Sequence, residues 1–310
     1  MNLSHGYGPP PPFESSKKLM LHALHSGATF FDTAALYGFG ANEELVGSVL
    51  SPHRSQFVLA SKGGMYGVDG KRVIDGRPAT IKMNCEQSLK RLRTDVIDLY
   101  YLHRWDKKVP VEDSIGAMAE LVQEGKVRAI GLSEVSAQTV MKAHLVHPVA
   151  AVQSEYSLWT RNPEIAVLKA CKEIGASFVA FSPVARGWLT GQLHSMEQLD
   201  AKDLRRAMPR FQTDGLKANL PLLDEFLNIA GQLGCTPAQL AMTWLLARGE
   251  HVIALSGTRS IEHLDENLAA ASMQLSPSLL ARLDALFAPD RVVGHRYSVA
   301  NQLEIDTEEF

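Results

Sequence analysis

Four side chains of different chemistry stand at or just beyond the ends of apolar runs in the first third of the chain. Asp32 closes "ATFFD", Tyr37 follows in "TAALYG", Lys62 ends "LASK" and His103 ends "YYLH". A carboxylate, a phenol, an ammonium and an imidazole make a proton-handling set. Asp32 is expected to pair with Lys62 and hold the ammonium in place. Lys62 and a hydrogen bond from His103 would then stabilise the phenolate of Tyr37. A free phenol titrates near ~10, and an adjacent cation should lower that value, tuning Tyr37 as a general acid toward a carbonyl oxygen. A carbonyl that gains a proton on oxygen must gain hydride on carbon. None of the four groups carries hydride, so the set implies a cofactor. Taken singly, each has a plainer reading: Asp32 as a turn cap, Lys62 as a solvated lysine, His103 as a structural imidazole, Tyr37 as packing.

What would bring them together is a regular alternation of short apolar runs with longer helical patterns. The runs are 28–33, 57–62, 98–103, 128–133, 151–156, 177–183 and 252–257, apolar throughout rather than alternating, as suits parallel strands covered on both faces. Amphipathic stretches such as "TIKMNCEQSLKRL", "VEDSIGAMAELVQEG" and "NPEIAVLKACKEIG" lie between them, the last two ending in the glycine that stops helices. Seven strands alternating with helices predict a (β/α)8 TIM barrel as a single domain over residues 1–310. One strand of the eight is unseen, and it is the first, since the chain opens abruptly in loop-like sequence. A doubly wound sheet would want a GxGxxG after its first strand, and none is present. The connection from Val184 to about Asp214 reads as an insertion carrying "GWLTGQ" and a charged helix. In such barrels chemistry gathers at the strand ends, so the four residues share one rim.

Composition narrows the class. The 310 residues are 45% hydrophobic and 21% charged with net charge −3, which gives no basic field for nucleic acid. Cys85, Cys171 and Cys235 are scattered without metal spacing, which points to a reducing compartment, the cytoplasm, and to no metal. No apolar run approaches membrane-spanning length, and no signal peptide opens the chain.

With "FFDTAALYG", "LASK", "YYLHR", "IGLSE", "VQSEYSL", "FSPVARGWLTG" and "SGTRSIEHLDENL" in that order, the chain resembles the aldo-keto reductases over nearly its whole length. The resemblance implies a metal-free barrel that reduces aldehydes or ketones with NADPH, NADH serving more weakly. Its catalytic tetrad would be Asp32, Tyr37, Lys62 and His103. Ser133 and Gln153 would hold the nicotinamide carboxamide, and Phe181 would stack on the ring. The segment with Ser182, Pro183, Arg186, Gly187, Leu189 and Gly191 would wrap the pyrophosphate. Gly257, Thr258 and Arg259 would meet the ribose and 2′-phosphate, with His263, Glu266 and Asn267 near the adenosine. The substrate would be a small aldehyde or ketone, and the enzyme a monomer or weak homo-oligomer. Three positions depart from the family pattern. The chain opens at Met1, past the usual hairpin and first strand. His263 stands where many relatives place arginine, and Glu134 where many have asparagine. Tyr66, Trp105 and Trp159 are candidates for the substrate wall, and the tail from Asp290 for a cover over the mouth. Two rival readings are a cofactor-sensing regulatory subunit and a metal-dependent hydrolase; the second would want an HxH-type ligand pair early in the chain.

Overall fold

All seven apolar runs fold into one parallel sheet. The computed structural model describes residues 1–310. In chain order the elements are α1 (Phe13–His25), β1 (Phe30–Asp32), α2 (Ala41–Leu50), β2 (Val58–Gly63), β3 (Met65–Val68), β4 (Lys71–Ile74), α3 (Pro78–Leu92), β5 (Ile97–Leu102), α4 (Val111–Gln123) and β6 (Val127–Ser133). There follow α5 (Ala137–Val146), β7 (Val149–Glu155), α6 (Val167–Glu173), β8 (Ser177–Phe181), α7 (Thr213–Leu233), α8 (Pro237–Leu246), β9 (Val252–Leu255), α9 (Ile261–Ala269), α10 (Pro277–Leu286) and α11 (Val299–Gln302). The sheet runs β1-β2-β5-β6-β7-β8-β9, every neighbouring pair parallel, with at least one helix in each crossover. This is the expected barrel architecture, curled from seven strands.

Strand residues divide between two apolar layers according to the pleat. Leu99 and Tyr101 join Ala60, Ala151 and Val179 inside the curl. Tyr100 and Leu102 face the helices, in the larger core with Leu59, Ile130 and Phe178. Burying one such large apolar side chain contributes roughly 1.5–3 kcal/mol, so this double covering carries most of the fold's stability. Inside the curl, Gly131 makes room for Tyr101: a Cβ there would lie 2.5 Å from the tyrosine ring. Among the helices, α8 starts at a capping box of Thr236 and Gln239 with Pro237 at the first turn.

Two details differ from the sequence expectations. The charged helix expected within the connection after β8 is broken into single turns at Met196–Gln198, Leu204–Ala207 and Pro209–Phe211. The breaks fall where Ser195 and Asp203 offer caps and Pro209 interrupts the ladder. Between β2 and α3, β3 and β4 form an antiparallel hairpin around the two-residue turn Asp69–Gly70.

The sheet does not close. β1 and β9 are its two edges, and Phe30, Phe31, Ala254 and Leu255 on them are only half-buried. The helical layer spans the seam where His22 of α1 meets Asp265 of α9 at 2.7 Å. At the strand ends, the loop of residues 1–12 crosses it, with Asn2 packed against Gly257. No helix is long and apolar enough to cross a membrane.

Candidate active site

Register alone brings three of the four candidate groups to one rim. Asp32 is the last residue of β1 and pairs with Ala60, two positions before Lys62 on β2. Lys62 in turn lies opposite Tyr101 on β5, two residues before His103, whose N–H donates to Gly63 O at 2.9 Å. Tyr37 joins them from the single turn Tyr37–Gly40 that leads into α2.

The side chains converge. Lys62 Nζ forms an ion pair with Asp32 Oδ1, both side chains almost wholly buried. The same ammonium donates to Thr33 O at 2.9 Å and to the Tyr37 hydroxyl at 3.4 Å, and sits 4.9 Å from the Tyr37 ring centre. The His103 ring meets the Tyr37 ring edge-on, centroids 5.7 Å apart. His103 Nδ1 is buried without a partner, so Nε2 is the nitrogen the imidazole has to offer.

Burial sets the protonation states. It pulls the Lys62 ammonium down, but the Asp32 charge and hydrogen bonds outweigh it, and the net direction is up; Lys62 is charged. Burial pushes the Tyr37 phenol up, and Lys62 offsets this only in part. The expected lowering of the phenol is therefore not found, because burial outweighs the pull of the ammonium and the Asp32 charge adds to the rise. Tyr37 is held as the neutral, proton-bearing phenol. Burial, then the charges of Arg104 and Lys62, hold His103 well below its ordinary value, so the imidazole is neutral.

The sequence model of the Aldo/keto reductase family matches residues 1–288. The chain belongs to this family. Among solved structures, the glycerol dehydrogenase of Gluconobacter oxydans is 31% identical with a TM-score of 0.84, covering 95% of this chain and 91% of its own. An aldo/keto reductase from Klebsiella pneumoniae in complex with NADP and acetate is 28% identical, TM-score 0.71, over 92% of this chain and 89% of its own. The holo form of an aldo-keto reductase from Bacillus halodurans is 27% identical, TM-score 0.74, over 96% and 92%.

In this aldo/keto reductase the candidate cofactor residues continue around the same rim. Ser133 closes β6 opposite Gln153 of β7, and Phe181 closes β8 opposite Glu155. Two of them are already engaged: Arg104 Nη1 donates to Ser133 Oγ at 3.2 Å, and Gln153 Nε2 donates to Asp32 Oδ2 at 2.9 Å. Beyond Phe181 the backbone coils tightly, with Ser182, Arg186 and Gly187 at positive φ. The amides of Gly187 and Leu189 both donate to Val184 O, and that of Gly191 to Trp188 O. The Leu189 side chain is wholly buried in the core. Pro183 directly precedes Val184 in this coil.

Arg186 also differs from its expected part. Its guanidinium turns inward, Nη2 donating to Glu155 Oε2 at 2.7 Å and to the Tyr297 hydroxyl at 3.2 Å, 5.7 Å from the Phe181 ring centre. Glu134, the departure from asparagine, has a partner in the tail: Arg296 spans its carboxylate with bonds of 3.0 and 2.6 Å and reaches Glu155 Oε2 at 3.6 Å. Glu134, Glu155, Arg186 and Arg296 thus form one buried network tying the β6, β7 and β8 ends to the tail. Further out, Lys107 Nζ donates to Ile305 O at 2.6 Å and Arg72 to Glu304 at 2.5 Å, so the tail is fastened to the rim.

At the last corner, Gly257, Thr258 and Arg259 follow β9. Thr258 Oγ1 accepts from Ser260 N at 3.0 Å, and Ser260 caps α9 by accepting from His263 N. Arg259 is exposed, its Nη1 donating to Pro9 O at 3.2 Å. His263 is exposed on the first turn of α9, with Glu266 and Asn267 half-exposed along it. Of the substrate-wall candidates, Trp159 is core, stacked on Trp188 at 4.0 Å, and Trp105 donates to Val109 O within its own loop. Tyr66 lies on the β3–β4 hairpin. Sequence reasoning left Glu155, Arg104 and Arg296 without a role; two of them stand inside the quoted motifs "VQSEY" and "YYLHR", and nothing local marks Arg296.

Proposed function

We propose that this aldo/keto reductase is an NADPH-dependent oxidoreductase that reduces small aldehydes and ketones to alcohols, with Tyr37 as proton donor. The reading rests above all on the buried Asp32–Lys62 pair with its ammonium on the Tyr37 hydroxyl.

A dinucleotide fits the residues around this pair. Ser133 and Gln153 Oε1 offer polar atoms beside Phe181, an aromatic ring at a strand end. Arg259 presents an exposed guanidinium at the N-terminus of α9, where anions are favoured. Complexes of Klebsiella pneumoniae relatives with NADP and with NADPH support the same cofactor. When bound, the cofactor supplies the hydride. The chain's own groups manage the proton. Tyr37 is protonated at neutral pH, so it has one to give. As the proton leaves for a carbonyl oxygen, the phenolate forms beside a charged, desolvated lysine, where the attraction is far stronger than in water. Asp32 keeps that lysine charged, and Nε2–H of neutral His103 is free to orient the carbonyl oxygen. Three cysteines without disulfides support the cytoplasm as compartment.

The test mixes purified protein with NADPH and a panel of activated aldehydes and follows cofactor absorbance. Turnover is expected, and Tyr37→Phe should abolish it with cofactor affinity nearly unchanged. A folded, cofactor-binding protein that turns over none of the panel would sink the proposal.

A further inference from the structure

The buried network at the β6–β8 ends contains an unbalanced charge. Three guanidiniums, Arg186, Arg296 and Arg210, gather around two carboxylates, Glu134 and Glu155. Arg186 and Arg296 take both acids. Arg210 feels the attraction of Glu155 and the repulsion of Arg296, yet no carboxylate comes within ion-pair distance of it. It donates instead to neutral oxygens: Trp159 O, Thr160 Oγ1 at 2.9 Å and Gly294 O at 2.9 Å. Burial pulls this guanidinium down to about 10. Arg210 is half-buried, and a cation partly out of water with no carboxylate within ion-pair distance is costly to keep there.

Arg210 lines a cavity of about 240 Å³. Arg161, Asn162, His295 and the backbone-bearing turn at Gly294 line it as well, and none of Asp32, Tyr37, Lys62 or His103 does. Arg161 is already matched by Glu164 and Asp284. The acid at the cavity, Glu309, accepts from Gln302. At about 30 Å³ per molecule in the liquid, the space would hold roughly eight waters, or one small organic anion. We propose that Arg210 anchors a second ligand site, separate from the catalytic rim, for a small oxyanion: a carboxylate or a phosphate group. Nη2 of Arg210, the one guanidinium nitrogen not already donating, meets such a group; the Asn162 amide, which also donates to Glu308 O at 3.0 Å, adds a second donor, and the occupant supplies the negative charge that the network lacks. The inference stands on this cluster alone and does not depend on the proposed reaction.

Thermal melts of the whole protein test it without any activity measurement. Inorganic phosphate and acetate are titrated separately at constant ionic strength, chloride making up the balance so that screening is unchanged. A saturable rise in Tm is expected, with Kd in about the millimolar range. Phosphate alone, acetate alone, or both raising Tm identifies the headgroup that fits. Arg210→Gln should lose the rise, whereas Arg259→Ala, at the exposed corner after β9, should keep it. If Arg210→Gln does not fold, Arg210→Lys, which keeps the charge and loses the Nη2 donors, should bind about tenfold more weakly. No saturable rise in the parent overturns the proposal. So does a rise lost in Arg259→Ala and kept in the Arg210 variant.

Discussion

Gln153 is bonded to Asp32. Its Nε2 donates to Asp32 Oδ2 at 2.9 Å while Lys62 occupies Oδ1. The resemblance assigns Gln153 to the cofactor, yet the structure gives its amide group two faces, one committed to the tetrad and one, Oε1, left for a ligand. Gln153→Leu strands a buried carboxylate oxygen, at a cost of about 1–3 kcal/mol. We expect both a lower kcat and weaker cofactor binding, read by steady-state kinetics and by quenching of tryptophan fluorescence. A loss of cofactor affinity with kcat unchanged would show that the bond to Asp32 has no part in turnover.

Lys62→Met removes the only cation paired with buried Asp32. Breaking such a pair from one side costs about 3–5 kcal/mol, since the other charge stays buried and alone. The double variant Asp32→Asn/Lys62→Met should regain most of the stability in denaturant melts. It should not regain turnover, because the phenolate of Tyr37 would still lack its cation. Recovery of activity in the double variant would remove Lys62 from the chemistry.

The stability of this chain should depend on pH in a defined direction. Burial, with help from Arg104 and Lys62, holds His103 well below 6.5 in the folded state. Burial likewise pulls His5 from 6.5 to about 4. The unfolded chain therefore binds protons that the folded chain refuses. The contribution of both groups is fully present above pH 6.5 and is lost as pH falls, for His5 down to about 4. Melting temperatures should fall through this window, and His103→Gln should flatten part of the slope. A slope identical in parent and variant would place the titrating groups elsewhere.

On the proposed reading, the exposed guanidinium of Arg259 distinguishes the two dinucleotides. A charge-assisted bond contributes roughly 1.5–3 kcal/mol, so Arg259→Ala should weaken NADPH by about ten- to a hundredfold. NADH, lacking the 2′-phosphate, should bind almost as before. Equal losses would mean that Arg259 acts through its bond to Pro9 O, holding the N-terminal loop.

Much of the rim was legible because strand position and residue type speak at once. An apolar run that ends in Asp32, Lys62 or His103 states both a place and a chemistry, and parallel register carries these to one side without further information. The hairpin was missed although Asp69–Gly70 flanked by extended residues is a sound local signal; the run is too short and too polar to read as a strand. Arg186 misled for a different reason. Its motif fixes the backbone coil, but the direction of its guanidinium depends on Glu155 and on Tyr297, over a hundred residues away. The Glu134–Arg296 pair spans 162 positions, and no periodicity connects them.

The open seam gives the sheet two lips with different cargo. One lip, β1, ends in Asp32; the other, β9, leads into Thr258 and Arg259. Along the hydrogen-bonded path these corners are six ladders apart, yet around the gap they are neighbours, bridged by the loop of residues 1–12 and by the packing of α1 on α9 with its His22–Asp265 contact. A ligand that touched both would therefore act as a staple across the slit. The effect would be mechanical: amide protons on both edge strands would exchange more slowly together, and the barrel would resist opening at its weakest line.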